Sequence, residues 1–282
     1  MAERTILVSC ARGRQGGAVV RALAGKGFRL RGMTRQPESD GARALASMGV
    51  EIVKADFDDP ASLKAALQGA WGALSIQNTR EAGVTKEEEQ GTSFARIARD
   101  VGVQHFVYHS VASADRRTGI PHFDNKARIE DTVRSLRFPS HVIIRPVFFM
   151  ENLSTPFFLN GNTLSTALKP TTRLQMIAVR DIGEYGARAF IEAERLNRRE
   201  IDIAGDVVTM PDTADTLSAA LGRLIEFVQV PIADIRKNSD GFATMLEWFD
   251  RVGYDADIPA LVREFGIQPT TLATWSKGLR QT

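Results

Sequence analysis

Two places in the chain hold residues whose types and spacing can do chemistry. In the first, the apolar run Ile6-Leu7-Val8 ends in Ser9-Cys10-Ala11-Arg12-Gly13-Arg14-Gln15-Gly16-Gly17, and the chain resumes as Ala18-Val19-Val20-Arg21-Ala22-Leu23. That is the order of a strand, a glycine turn and a helix start, which aims unpaired backbone N–H groups and the positive end of a helix dipole at one point where a pyrophosphate can sit. Gly13 and Gly16 let the backbone approach phosphates and let helix pack on strand. Cys10 stands where the first glycine of such a fingerprint belongs, so its side chain is expected to crowd the tight turn or the ligand. An ordinary glycine-rich turn has the same composition. What favours a nucleotide site is its place, as the first strand-to-helix turn of an alternating chain. Arg12 and Arg14 add positive charge beside the phosphates, or are solvated surface arginines. A phosphate and a helix N-terminus would depress the Cys10 pKa, although such cysteines are more often inert fillers.

About 20 residues beyond the loop, where an NAD-selective site places an acidic residue on the ribose diol, the chain reads Gly32-Met33-Thr34-Arg35-Gln36. A guanidinium there favours a 2′-phosphate by charge and by its fork of donors, so NADP(H) is expected over NAD(H). Asp56, followed by Phe57, is positioned to accept from an adenine amino group, or else caps the helix starting near Pro60. The second place of interest is His122 and Lys126, four apart and so on one face of a helix.

These residues need a scaffold. Short apolar runs near 4–9, 28–34, 50–54, 71–76, 104–109 and 140–145 alternate with amphipathic stretches near 15–25, 40–48, 60–68, 84–101 and 122–137, the pattern of repeated βα units. The expected fold class is α/β, a doubly wound parallel Rossmann sheet with a smaller mixed α/β C-terminal domain. The alternation stops after Pro146, giving a nucleotide-binding domain over 1–150 and a smaller, partly interleaved substrate or partner region over 151–282. Phe148, Phe149, Met150, Phe157 and Phe158 can floor an apolar cleft there, or be core where the two meet.

Composition narrows the classes. With 43% apolar and 25% charged residues, the 282-residue chain can bury a full core. Lys and Arg outnumber Asp and Glu by 36 to 34, which argues against a phosphate-binding surface and hence against nucleic acid. Residues 261–272 superficially read as helix, glycine turn and recognition helix, but the near-neutral charge counts against DNA. One cysteine excludes an intrachain disulfide and a cysteine-based zinc site. Histidines 105, 109, 122 and 141 do not pair with carboxylates at ligand spacing, so no metal is expected. A Gly-x-Ser-x-Gly elbow is absent. No signal peptide and no apolar run of about 20 residues is seen, which points to a cytoplasmic protein without a membrane partner.

Taken in order, Gly13-Arg14-Gln15-Gly16-Gly17, Thr34-Arg35, Ala55-Asp56 with Asp58-Asp59, Pro121-His122-Phe123-Asp124-Asn125-Lys126, and Arg145-Pro146 with Phe149-Met150-Glu151-Asn152-Leu153 resemble the NmrA-like proteins, atypical relatives of the short-chain dehydrogenase/reductases. The resemblance spans about 1–155. It implies an NADP-binding Rossmann domain with Arg35 on the 2′-phosphate, residues 12–15 on the pyrophosphate, and Asn78 and Lys126 near the nicotinamide half. The sequence departs from the family at Cys10 and Arg12, where small residues are usual. Parent dehydrogenases carry a tyrosine four residues before the lysine; here it is His122, an imidazole able to donate a proton near neutrality or to make structural hydrogen bonds at a helix start. Lys126 can hydrogen-bond the nicotinamide ribose and stabilise charge on a reduced carbonyl. The family divides between reductases of quinones or carbonyl compounds and redox sensors that bind another protein. The expectation is an NADPH-dependent oxidoreductase acting on a small quinone or carbonyl compound; the alternative is a non-catalytic NADPH/NADP sensor regulating a protein partner. A homodimer is left open.

Overall fold

The computed structural model describes residues 4–281. Its first half runs β1 (Arg4–Val8), α1 (Arg14–Leu23), β2 (Phe28–Thr34), α2 (Asp40–Ser47), β3 (Glu51–Lys54), α3 (Pro60–Leu67), β4 (Gly72–Ser75), α4 (Thr79–Ala82), α5 (Val84–Asp100), β5 (His105–His109), α6 (Pro121–Ser135) and β6 (Ser140–Pro146). The strands are short and apolar because helices cover both faces: Ile6, Leu7, Val8, Phe106 and Val107 are wholly buried. Helix starts carry their own stops. Ser39 caps α2 by accepting from Ala42 N, and Asp59 caps α3, with Pro60 preset for the first helical position.

The second half runs β7 (Phe148–Phe149), β8 (Leu159–Asn160), β9 (Thr163–Thr166), β10 (Leu174–Ile177), α7 (Val179–Ile191), β11 (Glu200–Ile203), β12 (Asp206–Val208), α8 (Met210–Leu221), β13 (Glu226–Gln229), α9 (Ile232–Asn238), α10 (Asp240–Arg251), α11 (Ile258–Phe265) and α12 (Leu272–Ser276). The main sheet has the order β3-β2-β1-β4-β5-β6-β11, with every pairing parallel. This is the doubly wound Rossmann-type sheet, accompanied by two small mixed sheets, β12-β10-β7 and β13-β9-β8. Two elements from beyond residue 151 join the first layer. β11 becomes the seventh strand, and α7 packs on α1 so closely that a Cβ at Gly183 would lie 2.6 Å from the Ala18 carbonyl oxygen.

Helix α6 is fixed to this sheet by a buried ion cluster. Arg145 Nε and Nη2 donate to the two oxygens of the fully buried Glu130 at 2.8 and 2.5 Å, and Nη2 also to Glu200 at 2.6 Å. A forked, bidentate pair holds both distance and angle, so the helix carrying His122 and Lys126 cannot rotate freely. Phe148, Met150 and Phe158 pack into the C-terminal core with Phe123, Trp248 and Phe249, while Phe157 is 58% exposed. The stretch that read as helix, turn and recognition helix is α11, ended by Gly266 at φ +66°, then an irregular segment and a helix of only five residues. Thr270 donates through N and Oγ1 to buried Asp181 at 2.7 and 2.8 Å, tying that segment to the body of the protein. Among the described residues no helix is long and apolar enough to cross a membrane.

Candidate functional site

The sheet order reverses between β1 and β4, and open α/β sheets bind ligands at such a point, outside the carboxyl ends of the strands. Ser9 and Cys10 stitch those ends together. Ser9 Oγ donates to the Ile76 carbonyl at 3.1 Å and accepts from Ile76 N at 2.8 Å, and the Cys10 thiol donates to the same carbonyl at 3.2 Å. Cys10 adopts φ +46°, the left-handed region that explains why a glycine is the expected residue there. Its side chain does not point at the phosphate position; it turns to Ile76. Burial, with a smaller push from Glu81, raises the thiol to about 11, which favours the inert filler over the depressed, reactive cysteine of the two alternatives.

Gly13 N donates back to the Cys10 carbonyl at 2.8 Å, and Gly13 then opens α1 with no side-chain cap and no acidic residue in the first turn. The positive helix end is left for a ligand anion. Gly16 sits one turn in, where a Cβ would stand 2.4 Å from the Cys10 carbonyl oxygen, so only glycine lets helix meet loop. The Gln15 side chain turns inward, its Oε1 2.9 Å from His109 Nδ1 beneath the loop. His109 is fully buried, and burial followed by the Lys126 charge pushes it down to about 3, so it braces the loop as a neutral ring. Arg14 is exposed at the helix start.

Arg12 lies elsewhere than beside the pyrophosphate. Its Nη1 donates to Ser39 Oγ at 2.6 Å, the Gln36 carbonyl at 3.3 Å and Thr34 Oγ1 at 3.4 Å, which puts the guanidinium at the end of β2 next to Arg35. The Arg12 guanidinium thus meets the Thr34 and Ser39 hydroxyls at the end of β2, the strand end where dinucleotide sites contact the adenine ribose. The Arg35 guanidinium is engaged by Glu81 of α4. Asp56 does not cap α3; that role belongs to Asp59, which accepts from Ala61 N and Ser62 N at 3.0 and 3.2 Å. Asp56 Oδ1 instead accepts from Asp58 N at 3.1 Å, within its own loop. Phe57 is half-buried, edge-on to Phe94 with ring centres 5.6 Å apart.

Asn78 follows β4, and His122 and Lys126 lie on α6 beyond β5; Glu87 of α5 links Thr79, next to Asn78, with Asn125 and Lys126. Asn78 is exposed and its carbonyl accepts from Glu81 N. Lys126 Nζ donates at 2.5 Å to Glu87 of α5, whose side chain is completely buried. Glu87 also accepts from Asn125 Nδ2 at 3.0 Å and from the Thr79 hydroxyl. Burial pushes the Glu87 carboxyl up, but the Lys126 charge and these donors outweigh it and hold the pKa below its ordinary value. The His122 ring lies edge-on to Phe123, and burial plus the Lys126 charge bring it down to about 4, leaving it neutral near pH 7.

Sequence reasoning missed Glu87 and Ser110. Glu87 reads as one of three consecutive glutamates on an amphipathic helix; only tertiary packing singles it out. Ser110, the first residue past β5, is buried with a hydroxyl that has no partner among the described residues, and its place at a strand's carboxyl end was the available signal. Glu151 was quoted only within the family resemblance. Its Oε1 accepts from Val179 N at 2.9 Å and from Trp275 Nε1 at 3.2 Å, joining α7 to α12.

A glycine turn on an uncapped helix, Arg12 and Arg35 at the end of β2 and a lysine past β5 lie where Rossmann-type sheets take up their ligands. The sequence model of the NmrA-like family matches residues 2–277, and the chain belongs to that family. An NmrA-like family domain-containing oxidoreductase, FrzB of Cladobotryum sp, is 31% identical over 225 residues, covering 70% of this chain and 67% of that one. Among solved structures, the NADPH-dependent quinone oxidoreductase QOR2 of Escherichia coli, complexed with NADPH, superposes with a TM-score of 0.81 at 24% identity, covering 97% and 99% of the two chains. NmrA, a negative transcriptional regulator in complex with NADP, superposes with a TM-score of 0.74 at 17% identity over 100% and 92%. At these identities the structural likeness is one of fold.

Proposed function

We propose that this protein is an NADP(H)-dependent oxidoreductase that reduces a small quinone or carbonyl compound in the crevice between the main sheet and the C-terminal region. The observation that carries the reading is the placement of the Arg12 guanidinium against Ser39 at the end of β2, where Arg35 follows in the chain, beside an α1 N-terminus with no cap of its own. That set of donors fits a dinucleotide bearing a 2′-phosphate and gives no purchase for the acidic contact that selects a bare ribose diol. Arg12 and Arg35 would hold the 2′-phosphate, and the N–H groups of Arg14 to Gly16 the pyrophosphate. Lys126 would hold the nicotinamide ribose, with Asn78 and Ser110 at the same end. The relative named as an oxidoreductase and the E. coli quinone reductase of the same fold support this reading.

NADPH, when bound, supplies the hydride. The chain's own contribution is placement and charge. Glu87 fixes the position of the Lys126 ammonium, which would favour negative charge developing on a substrate oxygen beside it. His122, neutral at physiological pH, carries an N–H that can be shared with that oxygen. A quinone suits this arrangement better than a ketone, since a hydroquinone anion is stable enough to take its proton from water.

The second reading is a redox sensor, favoured by one feature: Lys126 is already paired and the position of the usual tyrosine is His122. The fold shared with an NADP-binding transcriptional regulator points the same way. Following nicotinamide absorbance with a panel of quinones and aldehydes separates the two. Turnover of any member supports the reductase; tight NADPH binding without turnover refutes it in favour of the sensor.

A further inference from the structure

The Arg35–Glu81 salt bridge joins the ends of β2 and β4, 46 residues apart in sequence. Between these strands in the sheet lies β1, so the bridge passes across the mouth of the glycine loop. The charges of Glu81 and Arg35 are both felt by the Cys10 thiol of that loop, the first raising its pKa and the second lowering it. Both side chains are more than half exposed, at 60% and 51%, so each can reach another partner. Glu81 therefore presents a carboxylate to the same guanidinium that a 2′-phosphate would use. It does so from a helix of four residues, tethered at its start by the Thr79 hydroxyl on Glu87 and followed by Gly83 at φ +80°. Opening would move the end that carries Glu81 and leave the Lys126 side intact.

We infer that Glu81 is a built-in competitor of the 2′-phosphate: its carboxylate straps Arg35 across the crevice, must be displaced when NADP(H) binds, and so sets how strongly the site prefers NADP(H) over NAD(H). This rests on the NADP(H) reading above. Arg12, held by Ser39, Gln36 and Thr34, stays in place as a first contact for the incoming phosphate while the strap opens. A ligand without a 2′-phosphate makes no claim on Arg35, so it binds with the strap in place and gains nothing from its removal.

The test is a fluorescence titration of the full chain with NADPH and with NADH, for the parent, Glu81→Gln, Arg35→Ala and the double variant. Exposed ion pairs are weak, so Glu81→Gln is expected to tighten NADPH by about three- to five-fold. NADH should move by less than about two-fold, and the double variant should match Arg35→Ala because the competitor has lost its target. Unchanged or weaker NADPH binding by Glu81→Gln, alongside a large loss in Arg35→Ala, overturns the competition and leaves the NADP(H) reading standing. Equal tightening for both nucleotides also overturns it, since that outcome means relief of a general obstruction. If Arg35→Ala binds NADPH as well as the parent does, Arg35 is not the 2′-phosphate ligand, and both the reading and the inference fail.

Discussion

Replacing Cys10 by glycine separates two roles that the sequence alone runs together. At φ +46° an L-residue pays for its Cβ, by about 1–2 kcal/mol, and glycine removes that strain. The thiol also donates to the Ile76 carbonyl at 3.2 Å, a bond contributing about 0.5–1 kcal/mol for a weak donor. Cys10→Gly therefore gains on the first count and loses on the second, and its stability should stay within about 1 kcal/mol of the parent. Cys10→Ala keeps the strain and loses the bond, so it should be about 1–2 kcal/mol less stable than Cys10→Gly, roughly 2–6 °C in Tm for a chain of this size. Because the side chain is turned to Ile76 and away from the helix N-terminus, Cys10→Gly should bind NADPH within about three-fold of the parent. Thermal melts and nucleotide titrations of the three proteins decide it. Alanine melting at or above glycine refutes the strain, and NADPH binding tightened by about ten-fold or more in Cys10→Gly refutes the inward orientation.

Three further outcomes follow from the site. Gly16→Ala places a Cβ 2.4 Å from the Cys10 backbone oxygen, so it should cost about 2–4 kcal/mol in denaturant unfolding and weaken NADPH by about ten-fold or more. Glu87→Gln leaves the Lys126 ammonium without its buried partner and should cost about 3 kcal/mol at neutral pH. The Glu87 pKa is held below its ordinary 4.5, so its contribution is fully present above pH 4.5 and is lost as pH falls through the folded value; the gap between parent and variant should close on acidification below that point. His122 titrates at about 4, so a quinone-reduction profile should show no ionisation near pH 6.5 from this residue. A His122→Asn profile that removes an inflection between pH 6 and 7 contradicts that environment.

The scaffold was legible because its signals are local. Every strand expected from the apolar runs to residue 145 is present within two residues of its expected ends, and Ser39 and Asp59 cap where their types suggest. α4 was not legible, because a four-residue turn leaves no periodicity. Nor was the seventh strand, since β11 takes its place beside β6 only through pairing across more than 50 residues. At the site, the glycine loop and the Thr34-Arg35 position were readable from order in the chain. Where the Arg12 side chain goes was not, as Ser39 and Gln36 draw it from the pyrophosphate side to the end of β2. Glu87 escaped for the same reason: its burial is decided by Asn125 and Lys126 on a different helix.

Titration of the parent and Arg35→Ala with NADPH and NADH, followed in the same cuvette by addition of a quinone, tests most directly for a 2′-phosphate site whose bound NADPH gives hydride to a substrate. The parent should bind NADPH at least about ten-fold tighter than NADH, lose that preference in Arg35→Ala, and consume NADPH once the quinone is added. Equal affinity for the two nucleotides, or an NADPH preference untouched by Arg35→Ala, contradicts a 2′-phosphate site at Arg35.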